Sequence, residues 1–469
     1  MEIRVHDKTI SLNEDQAGAL GNIKEFLSDK YSLFLSIEGA AGTGKSTLIK
    51  EAIRGQASVA VTAPTHKAKK VVSKFTGRRA GTLHSLLGLQ PDMSLEQFDK
   101  HNVLFAQLSG CKMENYKLMI LDESSMVNKD LYHIILDTAG RFRTKVIFMG
   151  DPFQLTPVKK SKKNGTAELE EQLSPVFTDT NIRHVQLTKV ERQQDSNPLL
   201  FIYDAIRSDI FSPRDLFEHT SHVKGDEGIL FYKDPPEFAE YLIHMFRGNS
   251  LVSDPGIAKM LCWQNETVQS WNNYIRTNLF GSHREPLHTG EVLMAYKNVY
   301  DEDPAKGMLV QNSAEYLVKE VRAGVNGGIE GWYIQIEDID SLNPLLADVF
   351  VVRPDTANYL KFITKEQEYI SKVRQAPKEK RSWCWKQYYA FKDQYLLLEN
   401  IVDNYNNILV GKDFDHAYAL TVHRSQGSTY KYVFVDENDI NRNSNYAVRN
   451  RLKYVSFSRP TNMAHVLNY

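Results

Sequence analysis

Cysteine is almost missing: only Cys111, Cys262 and Cys384 occur in 469 residues. They lie far apart, with no CxxC pair and no Cys/His spacing suited to zinc, which excludes a disulfide framework and a structural zinc site. Net charge is equally sparse, with 57 Lys+Arg against 58 Asp+Glu and a formal charge of -1. Any track for a polyanion must therefore be local. No apolar run approaches the roughly 20 residues that span a bilayer, and the N-terminal MEIRVHDKTISLNEDQ alternates charges without an apolar h-region. These absences predict a soluble, cytoplasmic protein with reduced thiols. What is present is 42% hydrophobic and 25% charged, a globular composition rather than a disordered or fibrous one. The length exceeds what one core accommodates and predicts about three domains.

Short apolar runs recur, each ending in a polar loop with a helical pattern behind it. Ser32–Ile37 leads into GAAGTGKS, with a helix predicted over Thr47–Ile53. Ser58–Thr62 ends at APTH, with Lys67–Lys74 helical, while Lys117–Leu121 ends at Asp122–Glu123 and Lys145–Met149 at Gly150–Asp151. Such alternation predicts a parallel sheet covered on both faces, with ligands bound outside the carboxyl ends of its strands. Gly256–Trp263, Lys431–Val435, Leu452–Ser456 and Ala464–Leu467 predict strands of a second α/β domain.

Between Gly290 and Asn406 the β-like runs are broken by Gly, Asp, Asn and Pro, which predicts a small antiparallel insert. Trp383, Trp385, Tyr388, Tyr389 and Tyr395 follow at helical spacing, a pattern commoner in cores than on DNA-stacking platforms. The expected division is a first domain of 1–86 and 117–190 interrupted by a small insertion at 87–116. The second domain takes 191–289 and 407–469 and is interrupted by the β-rich insert at 290–406.

Gly39-Ala40-Ala41-Gly42-Thr43-Gly44-Lys45-Ser46 fits G-x-x-x-x-G-K-[ST] between a strand and a helix. The glycines let backbone N–H groups turn inward around phosphate oxygens, and the helix adds its positive N-terminus. Lys45 suits the β/γ-phosphates and the Ser46 hydroxyl suits Mg²⁺. Asp122 after a buried strand fits a metal-holding role, and Glu123 fits polarisation of the attacking water. Phosphoryl transfer also needs cations aimed at the equatorial oxygens. Arg192 and Arg459 are the candidates, although either taken singly also reads as a surface residue.

With these pieces placed, the chain resembles superfamily 1 helicases, and within them the 5′→3′ branch (1B) that contains Dda-like and RecD-like enzymes. The resemblance rests on LNEDQ (Leu12–Gln16), GAAGTGKS, APTHKAKK (Ala63–Lys70), GTLHSLLG (Gly81–Gly88), LDES (Leu121–Ser124) and GDPFQLTPV (Gly150–Val158). It continues through LTKVERQ (Leu187–Gln193), LTVHRSQGST (Leu420–Thr429) and YVSFSRP (Tyr454–Pro460). It implies an α/β protein of two RecA-like P-loop domains with parallel sheets, a pin-type insertion in the first and an SH3-like insertion in the second.

The same resemblance implies residue roles. Gln16 recognises adenine, Gln154 senses the γ-phosphate, Arg192 and Arg459 are arginine fingers, and Gly427 beside Gln426 couples nucleotide state to DNA grip. Pro64, Thr65, His66, Thr82, His84, Thr421 and His423 face one DNA strand, the three histidines also reading as capping or core residues. Phe98 and Phe105 are candidate pin aromatics that equally suit packing within the insertion. Two features depart from the family: Arg459 precedes Pro460 where alanine is common, and Lys159–Lys163 (KKSKK) has no family role and reads as a solvated turn.

The implied function is an ATP- and Mg²⁺-dependent DNA helicase moving 5′→3′ on single-stranded DNA and unwinding forked duplex, in phage-type replication or recombination. It is expected to act as a monomer, in the host cytoplasm if phage-encoded, without membrane contact. Single-strand-binding or replication proteins are candidate partners. A P-loop ATPase of another class, clamp loader or recombinase, is the alternative. A non-catalytic nucleic-acid-binding module is disfavoured by intact Lys45, Ser46, Asp122 and Glu123.

Overall fold

The computed structural model describes residues 2–5, 8–40, 42–91, 105–107, 110–163, 166–171, 173–189, 198–214, 216–247, 254, 256–281, 285–301, 308–339 and 346–469. In the first domain Phe34–Gly39, Val59–Ala63, Leu118–Leu121 and Lys145–Gly150 carry almost unbroken apolar sequence and are buried on both faces. They form a six-stranded sheet in the order Arg183–Leu187, Phe34–Gly39, Lys145–Gly150, Leu118–Leu121, Val59–Ala63, Ala80–Thr82, with every pairing parallel.

Successive strand residues point to opposite faces. Leu35, Ile37, Val61, Ile120 and Ile147 meet Leu20, Ile23 and Phe26 of helix Glu14–Ser28 and Leu48 and Ile49 of helix Lys45–Ala52. Met119, Leu121, Val146 and Phe148 instead meet Tyr132, Ile135 and Ala139 of helix Lys129–Phe142. A sheet clothed on both sides leaves its carboxyl edge as the place for a ligand.

The second domain has a six-stranded sheet ordered His222–Lys224, Glu227–Tyr232, Pro460–Leu467, Tyr430–Asp436, Ala258–Cys262, Ala419–Thr421. It is parallel except for the hairpin that opens it. One expected strand is corrected here. Leu452–Ser456 lies in helix Tyr446–Phe457, started by the Asn445 side chain, which accepts from the Ala447 and Val448 N–H groups. Every residue from Asn450 to Phe457 is buried, and a helix enclosed on all sides has no polar face to reveal its period.

The insert is a five-stranded antiparallel sheet, as expected, ordered Leu346–Val352, Ile329–Asp338, Glu315–Asn326, Val292–Ala295, Phe414–His416. Its last strand lies beyond the expected limit at 406. Helices Thr356–Gln375 and Lys378–Gln394 pack on it. The aromatic cluster divides: Tyr388 and Tyr395 are buried, Trp385 and Tyr389 half-buried, and Trp383 is exposed.

The insert is held to the second domain by buried ion pairs. Lys259 Nζ lies 2.7 Å from Glu315 Oε2, and Arg276 Nε lies 2.5 Å from Glu291 Oε1. Val292, Met294 and Leu317 of the insert also belong to the second domain's hydrophobic core.

Two smaller expectations are adjusted. Lys159–Lys163 is no turn: Val158–Lys163 pairs antiparallel with Thr166–Glu171, placing Lys159 opposite Glu170. The partner strand is invisible when the lysines are read alone. The 87–116 insertion contains the antiparallel pair Leu89–Pro91 and Phe105–Gln107. Phe98 lies outside the described residues, as does the side chain of Phe105.

Candidate nucleotide site and nucleic-acid cleft

The GAAGTGKS segment begins at the carboxyl end of strand Phe34–Gly39 and ends in helix Lys45–Ala52. Gly42 and Gly44 have φ of 86° and 90°, the left-handed region where a side chain is strained. Gly39 is required for a different reason: an added Cβ would lie 2.7 Å from Thr43 Oγ1 and 2.9 Å from the Leu187 carbonyl oxygen. The loop is thereby pressed onto the neighbouring strand. Lys45 Nζ donates to the Gly39 and Ala40 carbonyls at 2.5 and 2.9 Å. The half-buried Ser46 stands next to it in the first turn. Ala40 and Thr43 are buried, and Ala41 is outside the described residues.

Gln16 closes one side of this loop. It is the third residue of helix Glu14–Ser28 in a reciprocal cap with Asn13, accepting from the Asn13 N–H at 3.3 Å. Its Nε2 donates to the Thr43 carbonyl at 3.1 Å. Both ends of the amide therefore bond to protein in this structure, in a position touching the P-loop.

Asp122 and Glu123 follow strand Leu118–Leu121. The Asp122 N–H donates to the Thr62 carbonyl at 3.0 Å, and the Glu123 N–H donates to Asp122 Oδ1 at 2.9 Å. Glu123 has φ 52°, a conformation that costs a non-glycine residue on the order of 1–3 kcal/mol and is concentrated at functional sites. Burial pushes the Asp122 carboxyl up, with the Glu123 N–H and the Lys45 charge opposing. Burial and the Asp122 charge push Glu123 up to about 7, with Arg459 and Lys45 pulling down and Asp151 adding to the rise. Five charged residues thus share one field, and one of them comes from the second domain.

That residue, Arg459, is buried. Its Nη1 donates to the Ser428 carbonyl at 3.1 Å, its Nη2 to Ser458 Oγ at 2.8 Å and its Nε to the Val455 carbonyl at 3.1 Å. It lies between the end of helix Tyr446–Phe457 and the start of strand Pro460–Leu467. The proline after it therefore does no damage, because the chain is already leaving the helix where Pro460 demands extended backbone. Arg192 lies outside the described residues.

The Asp151–Gln154 loop follows strand Lys145–Gly150, and here the two domains are hydrogen-bonded to each other. Arg451 Nη1 donates to the Pro152 and Gln154 carbonyls at 2.5 and 2.7 Å, and Tyr454 Oη donates to Asp151 Oδ2 at 2.7 Å. Neither Arg451 nor Tyr454 was singled out from sequence. Arg451 stands just before the apolar run Leu452–Ser456, where nothing local marks it as buried. Elsewhere on the interface Gly427 has φ 73°, and a Cβ added to it would lie 3.5 Å from the Ala68 Cβ of helix His66–Thr76.

The expected DNA contacts are brought together in part. Pro64, Thr65, Thr82 and His84 line one wall of a cleft of 2560 Å³, whose opposite wall comes from the insert and includes Tyr296, Tyr300 and Tyr388. Thr65 and Thr82 are helix N-caps, accepting from the Ala68 and Ser85 N–H groups, so the loops they end are fixed. The side chain of His66 is outside the described residues. Thr421 and His423 do not line this cleft.

Burial lowers His84 and pushes His423 down to about 4, so both are neutral imidazoles near pH 7 and offer hydrogen bonds rather than charge. Lys69 and Arg79 are the cations on the wall that carries Thr65 and His84, and Lys112, Lys297, Lys386 and Lys392 also line the cleft; Lys69 is lowered by burial and by the nearby Lys70 and Arg79 charges. Asp301, Asp348, Glu366, Asp393 and Asp413 line the same cleft, so its cations are interleaved with carboxylates. Lys70 itself pairs with Asp338 of the insert.

Comparison with known proteins agrees with this geometry. Residues 11–210 match the AAA domain family and residues 416–466 match the UvrD-like helicase C-terminal domain, which contain the P-loop and Arg459 respectively. The chain is a superfamily 1B helicase. This helicase chain is 26% identical over 346 residues to the ATP-dependent DNA helicase Dda of Enterobacteria phage T4, covering 70% of this chain and 74% of that protein. It is 25% identical over 452 residues to the ATP-dependent DNA helicase Pif1 of Campylobacter jejuni, covering 92% and 87%. Among solved structures it resembles the Pif1 helicase of Candida albicans, with a TM-score of 0.50 and 19% identity over 98% of this chain and 95% of that one. That likeness speaks to the fold, two RecA-like domains side by side.

Proposed function

We propose that this helicase is an ATP-driven DNA motor that moves 5′→3′ along one strand and opens duplex ahead of it. The observation that carries this reading is the composition of the nucleotide site: Lys45, Asp122 and Glu123 come from one RecA-like domain and Arg459 from the other. A site divided between two bodies closes when a nucleotide bridges them and opens after hydrolysis.

In this scheme the P-loop amides and Lys45 hold the phosphates, Glu123 orients and deprotonates the attacking water, and Arg459 meets charge on the transferring phosphoryl group. Gln154 senses the γ-phosphate, and Gln16 contributes to the adenine side by packing on the P-loop. Arg192 is a second candidate finger. The Ser46 hydroxyl and Asp122 carboxylate are hard oxygen donors that suit Mg²⁺, which keeps several waters and takes its other ligands from phosphate. Among the described residues no group of three His, Cys, Asp or Glu side chains forms an all-protein metal cage. Bound Mg²⁺ would offset charge on the β- and γ-phosphates.

Single-stranded DNA is proposed to run through the cleft between Pro64, Thr65, Thr82 and His84 on one side and the insert on the other. Thr421 and His423 would serve the strand's path across the second domain. Threonine hydroxyls, neutral imidazoles and Lys69 grip phosphates without reading sequence, while tyrosines offer stacking surfaces. A role in phage-type replication or recombination, with a forked duplex as substrate, accords with the Dda likeness. The clamp-loader or recombinase reading expects one core per chain, and the two parallel six-stranded sheets weigh against it. Steady-state ATP hydrolysis is expected to rise on the order of tenfold or more when single-stranded DNA is added, because grip and closure are one motion. Hydrolysis that ignores DNA would overturn the proposal.

A further inference from the structure

The helix Tyr446–Phe457 does more than lead to Arg459. Arg451 and Tyr454 are one turn apart on it, hence on one face, and both are almost fully buried, at 4% and 1% exposure. Their partners belong to the other domain: the carbonyls of Pro152 and Gln154 and the carboxylate of Asp151. A guanidinium bonded to main-chain carbonyls fixes backbone position, which a contact with a flexible side chain does not.

The grip is reinforced from beneath. Leu155 is a member of the second domain's hydrophobic core, and Phe153 packs against that core. Asp151 in turn accepts from the Phe153 N–H at 3.0 Å, so the loop is tied internally as well. By contrast Gln154 Oε1 is buried and has no hydrogen-bond partner among the described residues. The Gln154 carbonyl is used for attachment while its side-chain oxygen is left over.

We infer that Arg451 and Tyr454 are positioning residues that fasten the Asp151–Gln154 loop to the second domain, so that this loop and Arg459 approach the transferring phosphate as one body. The inference rests on the motor reading above. The loop belongs by sequence to the first domain and mechanically to the second. Domain closure then presents Gln154 and Arg459 in a fixed relation, set by the helix that carries both grips.

The test uses Arg451→Met, Arg451→Lys and Tyr454→Phe in the full chain, with DNA-stimulated kcat, KM for ATP, thermal midpoint and amide hydrogen exchange as readouts. Arg451→Met is expected to lower kcat by roughly 10- to 100-fold while KM changes less than about threefold. Amides of residues 151–155 should exchange at least about tenfold faster while those of the P-loop are unchanged. Arg451→Lys should recover most of both effects, and Tyr454→Phe, which removes only a hydroxyl, should cost roughly 3- to 10-fold in kcat.

If Arg451→Met does not fold, Tyr454→Phe decides, and exchange and kcat at wild-type values would overturn the assignment. A fall in thermal midpoint with kcat unchanged, or no recovery by lysine, would also overturn it. Wild-type hydrolysis without response to DNA would instead defeat the motor reading, and exchange at 151–155 would still report on the grip.

Discussion

Replacing Arg459 with alanine is expected to reduce DNA-stimulated ATP turnover by about 10³–10⁵, the range by which an arginine finger accelerates phosphoryl transfer. The argument is positional. Arg459 is the one described cation of the second domain whose charge acts on Glu123, and its guanidinium is aimed by the Ser428 and Val455 carbonyls and by Ser458. ATP affinity should change far less, since Lys45 and the P-loop amides belong to the other domain. Arg459→Lys keeps the charge and loses the planar fork, so it should recover only part of the rate. Single-turnover hydrolysis with a thermal melt as control separates this from instability. A kcat within about tenfold of wild type in a folded Arg459→Ala variant would remove Arg459 from the mechanism.

Glu123→Gln is expected to cost about 10²–10⁴ in kcat, the contribution typical of a positioned general base. ATP should bind as well as before or better, because a carboxylate next to the phosphates is gone. The pH dependence gives a second check. With the Glu123 carboxyl pushed up to about 7, its basic form is lost as pH falls through that value. The profile of kcat/KM, which reports the free enzyme, should therefore drop on the acid side of about pH 7. It should be level there in Glu123→Gln. An acid limb that persists unchanged in the glutamine variant would assign the titration to another group.

How much of this was legible in the sequence depends on the range of the interaction. The P-loop was readable because glycine spacing, a strand before and a helix after are all local, and Gly42 and Gly44 do take the positive φ that the pattern implies. The first sheet was readable because its strands are apolar on both faces. Leu452–Ser456 was misread because a helix buried on every side looks like any short apolar run. The lysines at 159–163 were read as a turn because the acidic strand that pairs with them lies across a hairpin.

The insert overran its expected end because Phe414–His416 looks like ordinary connecting chain until it is seen paired with Val292–Ala295. Arg451 was missed for the strongest reason: its bond to Pro152 joins residues 299 apart, and no local pattern records such a contact. Gln16, to which the resemblance gives adenine recognition, lies against the P-loop, and spacing gave no hint that its amide would bond Asn13 and Thr43.

The central claim is that hydrolysis at the divided site drives movement in one direction on DNA. The most direct measurement is strand displacement on duplexes with a single-stranded tail, 5′ in one substrate and 3′ in the other, with ATP and Mg²⁺ present. The expected result is ATP-dependent displacement of the 5′-tailed duplex, little from the 3′-tailed one and none by Lys45→Ala. Preference for the 3′ tail would contradict the direction, and displacement of neither with active ATP hydrolysis would contradict the helicase reading itself.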